Sequence, residues 1–258
     1  MLYMINENTN RYILHLSYLG LKYSGWQIQN NVNTVQGLIM KALHLILHND
    51  IDLIVGAGRT DSGVHAVNYF AHFDVIKTVS VCNLQYKLNN YLPNDIVIHK
   101  VILIDKNFHA RFSVKSRKYE YWISQKKDPF LINKAYIFQK DLNLELIKEA
   151  SKMLIGEKDF SSFSKSKLKN NICNVSSIEI VTNKNMVVFS IESDRFLYNM
   201  VRCIVGTLID IGLKKINLSN FQSIIDAQNR KKGGFSVPAY GLYLVAINYP
   251  KEYSIENI

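Results

Sequence analysis

Apolar residues recur along this chain in two rhythms, at every second position over short stretches and at every third or fourth over longer ones. The first rhythm, carried by β-branched and aromatic residues, marks strands at 12–18, 52–55, 67–75 and 95–104 in the first half. The second runs from 33 to 48, where Val35, Leu38, Ile39, Ala42, Leu43 and Ile46 fall on one face of a helix. Asn33, with Gln36 three residues on, reads as the N-cap and capping box of that helix. A shorter helix at 83–91 must end before Pro93, which lacks an N–H and clashes with a preceding turn.

The order then repeats. A strand at 116–124 leads to a helix at 142–155, capped by Asp141 or Asn143, with Gly156 just past its end. Strands at 175–182 and 186–192 flank the polar turn Asn183-Lys184-Asn185. A helix from 196 to 211, stopped by Gly212, precedes another at 219–229 with a Ser219-x-x-Gln222 capping box, and 242–248 is the last strand. Each half reads β-α-β-β-α-β, the ferredoxin-like order, with one extra helix late in the second. The fold class expected is therefore α+β, two ferredoxin-like halves with mainly antiparallel sheets joined around a central active-site cleft. The junction falls within 105–116, where no Pro/Gly/Ser linker marks it, and divides the chain into 1–108 and 109–258.

Composition adds size and charge to this picture. With 258 residues, 48% of them apolar and 20% charged, the chain can bury a sizeable core. No run of about 18 apolar residues argues for a membrane span. The N-terminus lacks the basic start and apolar run of a signal peptide, so a cytoplasmic protein is expected. Cys82, Cys173 and Cys203 are far apart and no histidines are closely paired, so neither a disulfide framework nor a metal centre is expected. Lys and Arg outnumber Asp and Glu by 31 to 21, a formal charge of +10. A basic surface attracts polyanions, and nucleic acid is the commonest large one in the cytosol.

Candidate chemistry sits between the strands at 52–55 and 67–75. The loop Gly58-Arg59-Thr60-Asp61-Ser62-Gly63-Val64-His65 follows Gly56-Ala57, and its glycines permit positive φ and close approach of another backbone or a ligand. Arg59 and Asp61 are two positions apart, on one side of an extended segment. A guanidinium nearby keeps a carboxylate ionised, and an ionised, fixed carboxylate serves as nucleophile or electrostatic stabiliser. Taken alone, the same residues fit an ordinary Asx-type turn with a surface ion pair.

Six further segments change that balance. They are Tyr23-Ser24-Gly25-Trp26-Gln27 with Thr34-Val35-Gln36, Phe108-His109-Ala110-Arg111-Phe112-Ser113, Arg117-Lys118-Tyr119-Glu120-Tyr121, Asp159-Phe160-Ser161-Ser162-Phe163, Met200-Val201-Arg202-Cys203-Ile204-Val205-Gly206, and Pro238-Ala239-Tyr240-Gly241-Leu242-Tyr243-Leu244. Together with the loop, and in this order, they make the chain resemble the tRNA pseudouridine synthase A family over roughly residues 12 to 250. Ser62, where alanine is commoner, Tyr198, where a basic residue is frequent, and Gly233-Gly234-Phe235-Ser236-Val237 depart from the family pattern.

The resemblance implies conversion of uridine to pseudouridine in the anticodon arm of tRNA, at positions 38 to 40, with no metal and no organic cofactor. It makes Asp61 the nucleophile, attacking either the uracil ring or ribose C1′. Arg59 would pair with Asp61 or hold the flipped nucleotide. Arg202, at the edge of the stripe Phe196, Leu197, Met200, Val201, Ile204 and Leu208, matches the basic residue that pairs with the catalytic aspartate. Tyr119 matches the tyrosine that stacks on the target base, a general way to hold a base taken out of its helix. Arg111 would contact RNA backbone or prop the loop, and His65 would order the loop rather than transfer protons. Lys165, Lys167, Lys169, Arg230, Lys231 and Lys232 are candidate phosphate contacts. A homodimer with the tRNA anticodon stem-loop spanning both subunits follows from the same resemblance. Outside it stand two alternatives: an RNA-binding module without catalysis, and a hydrolase with paired carboxylates, for which Asp52 and Asp74 are poorly placed second acids.

Overall fold

The computed structural model describes residues 9–165, 170–253 and 255. The chain divides into two compact units, one holding the described residues up to Lys115 together with those from Val245 on, the other Ser116–Leu244. Both are α+β with mainly antiparallel sheets.

The first unit runs β1 (Asn10–Tyr18), α1 (Val35–Ile46), β2 (Ile54–Gly56), β3 (His65–Val75), α2 (Val81–Tyr91) and β4 (Ile96–Ile104). Its strands lie in the order β4-β1-β3, with β2 also paired to β3, and every pairing is antiparallel. That is the ferredoxin-like arrangement. Alternation decides the faces. Tyr12, Leu14, Leu16 and Tyr18 of β1 are buried, as are Val35, Ile39, Ala42 and Leu43 of α1 and Leu84 and Leu88 of α2. Each such aliphatic side chain contributes roughly 1.5–3 kcal/mol by leaving water. The intervening Arg11 and Ile13 are buried too. The segment after β4 accounts for Arg11, whose guanidinium donates to the carbonyls of Lys106 and Phe108 and forks onto Asp74.

The second unit contains β5 (Ser116–Ser124), β6 (Tyr136–Ile137), α3 (Leu144–Lys152), β7 (Gly156–Asp159), β8 (Ile172–Asn183), β9 (Met186–Ser193), α4 (Met200–Gly212) and α5 (Leu218–Asp226). β10 (Leu242–Asn248) begins here, and from Val245 its residues belong to the first unit. The order β5-β9-β8-β7 is antiparallel throughout, and β6 adds a short parallel pairing to the end of β5. α4 is apolar nearly all round and almost wholly buried, which makes it the centre of this unit's core.

Four expectations about helix ends need correction. α1 is capped by Thr34, whose hydroxyl accepts from the Gly37 N–H, and not by Asn33. Gln36 makes no capping box; its amide oxygen accepts from Ile28 N–H and its NH₂ donates to the Ile54 carbonyl. α5 is capped by Asn217, which accepts from Asn220 N–H and from the Ser219 hydroxyl. α4 starts at Met200 because Asn199 sits at φ 65, in the left-handed region, and turns the chain away from the helical path. α4 ends at Gly212 as expected, and this glycine also has a packing role, since a Cβ there would meet Ile147 Cδ1 at 2.6 Å. It lets α3 pack closely, and the chain reverses at Lys214, φ 60. β6 and β7, too short for a visible period, escaped the sequence reading. No helix among the described residues is long and apolar enough to cross a membrane.

Candidate active site

Residues 57–64 join β2 to β3, and the loop is tied down from several sides. The Tyr69 hydroxyl donates to the Gly58 carbonyl and lies 3.4 Å from the Gly58 nitrogen. Thr60 is buried, its hydroxyl 2.8 Å from the Tyr18 hydroxyl and its carbonyl accepting from Trp26 N–H. Gly63 N–H and the Ser62 hydroxyl both donate to the Tyr23 carbonyl. The tip is a turn closed by Val64 N–H on the Asp61 carbonyl, with Gly63 at φ 79. Asp61 therefore projects, half-buried, from a backbone with little freedom.

The segment that starts at Tyr23 is the scaffold for this loop. Gly25 has φ +84, and a Cβ there would lie 2.3 Å from the Thr60 carbonyl oxygen. Only glycine fits both constraints. Trp26 is buried with its ring 4.3 Å from that of Tyr69, and Tyr18 packs against both. Gln36 N–H and Val35 N–H bond back to the Trp26 and Gly25 carbonyls, so the start of α1 positions the scaffold. Gly20 approaches Val64 so closely that a Cβ would overlap its carbonyl at 1.8 Å. Gly25 and Trp26 belong to a segment for which the family resemblance implied no individual role, and Gly20 lies outside it. The buried pair Tyr18–Thr60 and the part-buried pair Tyr69–Gly58 carried no sequence signal at all, being contacts between separated positions.

His65 is buried, and its Nδ1 accepts from Gly20 N–H at 3.0 Å. That bond occupies the lone pair a base would use and anchors the entry of β3. Arg59 is exposed and makes no ion pair or hydrogen bond among the described residues, so its pairing with Asp61 is not formed here. In the 108–113 segment, His72 Nδ1 accepts from Ala110 N–H and the Tyr249 hydroxyl donates to the Ala110 carbonyl. His72 titrates far below an ordinary histidine, at about 3, first because it is buried and then because Arg11 and His109 are near. Arg111 is exposed, with its guanidinium carbon 5.8 Å from the Phe112 ring centroid.

In the second unit, Tyr119 on β5 is buried and meets Phe196 edge-on at 5.0 Å. Arg202, one turn into α4, is tied to the distant Val237 backbone: Nε donates to the Val237 carbonyl at 2.7 Å, and Val237 N–H returns to the Arg202 carbonyl. Tyr121, behind Tyr119 in sequence, is a core residue whose hydroxyl donates to the Pro238 carbonyl. Burial raises its pKa well beyond the usual phenol range, so it stays neutral. Ser162 donates to the Ile224 carbonyl and accepts from Asn229 N–H, which explains its motif as a structural tie. Arg230 is likewise engaged, on Gly233 and Ser236. Lys165, Lys231 and Lys232 are exposed, while Lys167 and Lys169 lie outside the described residues.

Two surface cavities of about 370 and 660 Å³ are lined by Lys41, His44 and Tyr91 with their neighbours, and by residues of α3 and β8, and include none of the residues above. Among the described residues no cluster of three His, Cys, Asp or Glu is arranged to hold a metal ion.

A carboxylate on a fixed glycine-bounded turn, in a basic α+β chain, is a site suited to covalent chemistry on an anionic polymer. Residues 150–250 match a family described as tRNA pseudouridine synthase. The chain is 45% identical over 243 residues to tRNA pseudouridine synthase A of Azobacteroides pseudotrichonymphae genomovar. CFP2, covering 93% of this chain and 97% of that one. It is 42% identical over 245 residues to the tRNA pseudouridine synthase A of Parabacteroides distasonis, covering 94% and 97%. The chain belongs to the tRNA pseudouridine synthase A family. It is also similar, loosely, to a solved H/ACA ribonucleoprotein bound to a substrate RNA containing 2′-deoxyuridine, with TM-score 0.39 and 12% identity over 79% of this chain and 42% of that one.

Proposed function

We infer that this chain isomerises uridine to pseudouridine in the anticodon arm of tRNA, at positions 38 to 40, with Asp61 as the nucleophile. The reaction breaks the bond from ribose C1′ to uracil N1, turns the base and joins C1′ to C5. The proton lost from C5 is balanced by one gained at N1, so no oxidant or reductant is consumed. The observation that carries the reading is the anchoring of residues 58–65, which holds the Asp61 backbone through Tyr18, Tyr23, Trp26 and Tyr69. A carboxylate held in place before substrate arrives loses little entropy when it attacks.

The other residues take supporting roles. Arg202 serves as the basic catalytic residue, Tyr119 stacks on the target base, and Arg59, free of other partners among the described residues, holds the nucleotide once it leaves the helix. Arg111 contacts the RNA backbone, and His65 orders the loop through its bond to Gly20. No cofactor takes part. The protein acts as a cytoplasmic homodimer with the anticodon stem-loop spanning both subunits, and the net charge of +10 favours such a polyanion.

Carbodiimide mapping of pseudouridine in transcribed tRNA tests this directly. Wild type should modify the anticodon arm, while Asp61→Asn should bind the same tRNA with similar affinity and form no pseudouridine. Turnover by the Asn variant would sink the mechanism. Binding without turnover by wild type would favour an RNA-binding module instead.

A further inference from the structure

We propose that Phe112 is an RNA-stacking platform, a substrate-binding residue for a second, unreacting base of the tRNA; this rests on the reading above. Phe112 is 74% exposed, unusual for so large an apolar ring. Isolated exposed apolar residues are common, and Phe130 is more exposed still. What sets Phe112 apart is its support.

Its ring lies on the imidazole of His109, centroids 4.3 Å apart and 27° from parallel, with one face covered. His109 in turn meets His72 edge-on at 4.8 Å. The Arg111 guanidinium carbon lies over the ring, 5.8 Å from its centroid. The backbone beneath is fixed: Arg111 N–H and Phe112 N–H both approach His109 Nδ1 at 3.2 Å, His109 N–H donates to Ser113 Oγ, and Ser113 N–H closes on the His109 carbonyl. The preceding residues are locked by Arg11 on Phe108, and by His72 and Tyr249 on Ala110. The ring remains 74% exposed although an imidazole is stacked on it and a guanidinium lies over it, so a hydrogen-bonded backbone presents accessible aromatic surface together with a cation. A nucleobase is a flat partner for that surface, and the phosphate attached to it suits Arg111.

A protein partner would use such a ring differently, as the centre of a wider apolar patch. Here the sequence neighbours are Arg111, Ser113 and Lys115, which favour an anionic, flat-faced ligand.

The test compares Phe112→Ala, Phe112→Tyr and wild type, each as the full chain, on one unmodified tRNA transcript. Affinity, KM and kcat are read with thermal melting and sedimentation alongside. Removing a base-stacking ring should weaken tRNA binding roughly 5- to 100-fold, with the loss larger in KM than in kcat. The slope of log Kd against log salt should not change, since no phosphate contact is removed. Phe112→Tyr should stay within about threefold of wild type, because the ring face is kept. Wild-type affinity in Phe112→Ala overturns the platform, as does an equal loss in the Tyr variant. A loss that coincides with a change of oligomeric state also overturns it and assigns the ring to a protein contact. Failure of wild type itself to form pseudouridine is a separate outcome, and it sinks the enzymatic reading on which the platform rests.

Discussion

Gly25 shows how much a single residue decides at the catalytic loop. Its φ of +84 and the 2.3 Å approach of the Thr60 carbonyl to a would-be Cβ mean that any side chain must push Thr60 and Asp61 aside. Gly156 offers an internal comparison, with φ +96 but nothing within 4 Å of its Cβ position. Gly156→Ala should cost roughly 1–3 kcal/mol of stability through backbone strain, and Gly25→Ala more, because the clash with the Thr60 carbonyl adds to the same strain. Only Gly25→Ala should also slow pseudouridine formation, by tenfold or more, because it moves the attacking carboxylate. Urea unfolding and single-turnover assays on the two variants check this; equal rates would detach the loop's geometry from the chemistry. The Gly58–His65 loop and its aspartate are legible through the family resemblance, whereas the loop taken alone fits an ordinary turn. That Tyr69, Tyr18 and Trp26 hold the loop is not legible, because their partners lie many residues away.

At the scale of elements, the chain's periodicity located both α1 and β3 but placed their ends less well. Helix ends are set by which side chain reaches a free N–H, and several neighbouring residues compete for that role. Asn33 and Thr34 are both good caps, yet only Thr34 accepts from Gly37 N–H. Thr34→Ala should cost about 1 kcal/mol, whereas Asn33→Ala, at an exposed position, should stay within about 0.5 kcal/mol. Denaturant midpoints for the two variants separate these outcomes. The same competition explains why Asn217 rather than Ser219 caps α5. β6 and β7, two and four residues long, exist because neighbouring strands offer edges, and a run that short shows no alternation to read.

For the whole molecule, pH acts through the buried histidine beneath the 108–113 segment. His72 has a folded pKa of about 3 against 6.5 for the free side chain, because burial comes first and Arg11 and His109 add to it against a partial offset from Asp74. His109 and His15 are lowered as well, each mainly by burial. The unfolded chain takes up a proton below pH 6.5 that folded His72 refuses, so stability is full above that pH and is lost as pH falls toward 3. The slope attributable to His72 approaches 1.4 kcal/mol per pH unit within that window. His72→Asn offers Ala110 N–H another acceptor and removes this titration, so its unfolding midpoints between pH 4 and 7 should vary less than those of wild type. An unchanged profile would place the sensitivity elsewhere.

The sequence by itself determined the α+β class, the doubled β-α-β-β-α-β order and the basic character, and its resemblance to the family pointed to Asp61, Tyr119 and Arg202. The first three rest on spacing or residue type, which the chain carries locally, and the last on motifs that match the family in order along it. The tertiary structure alone decided that His65 spends its lone pair on Gly20, that Arg59 stands unpaired among the described residues, and that Gly212 also serves helix packing. It also decided that Phe112 is a backed ring and Phe130 merely an exposed one. These are matters of which distant atoms meet, and meeting is settled only when the strands and helices have packed.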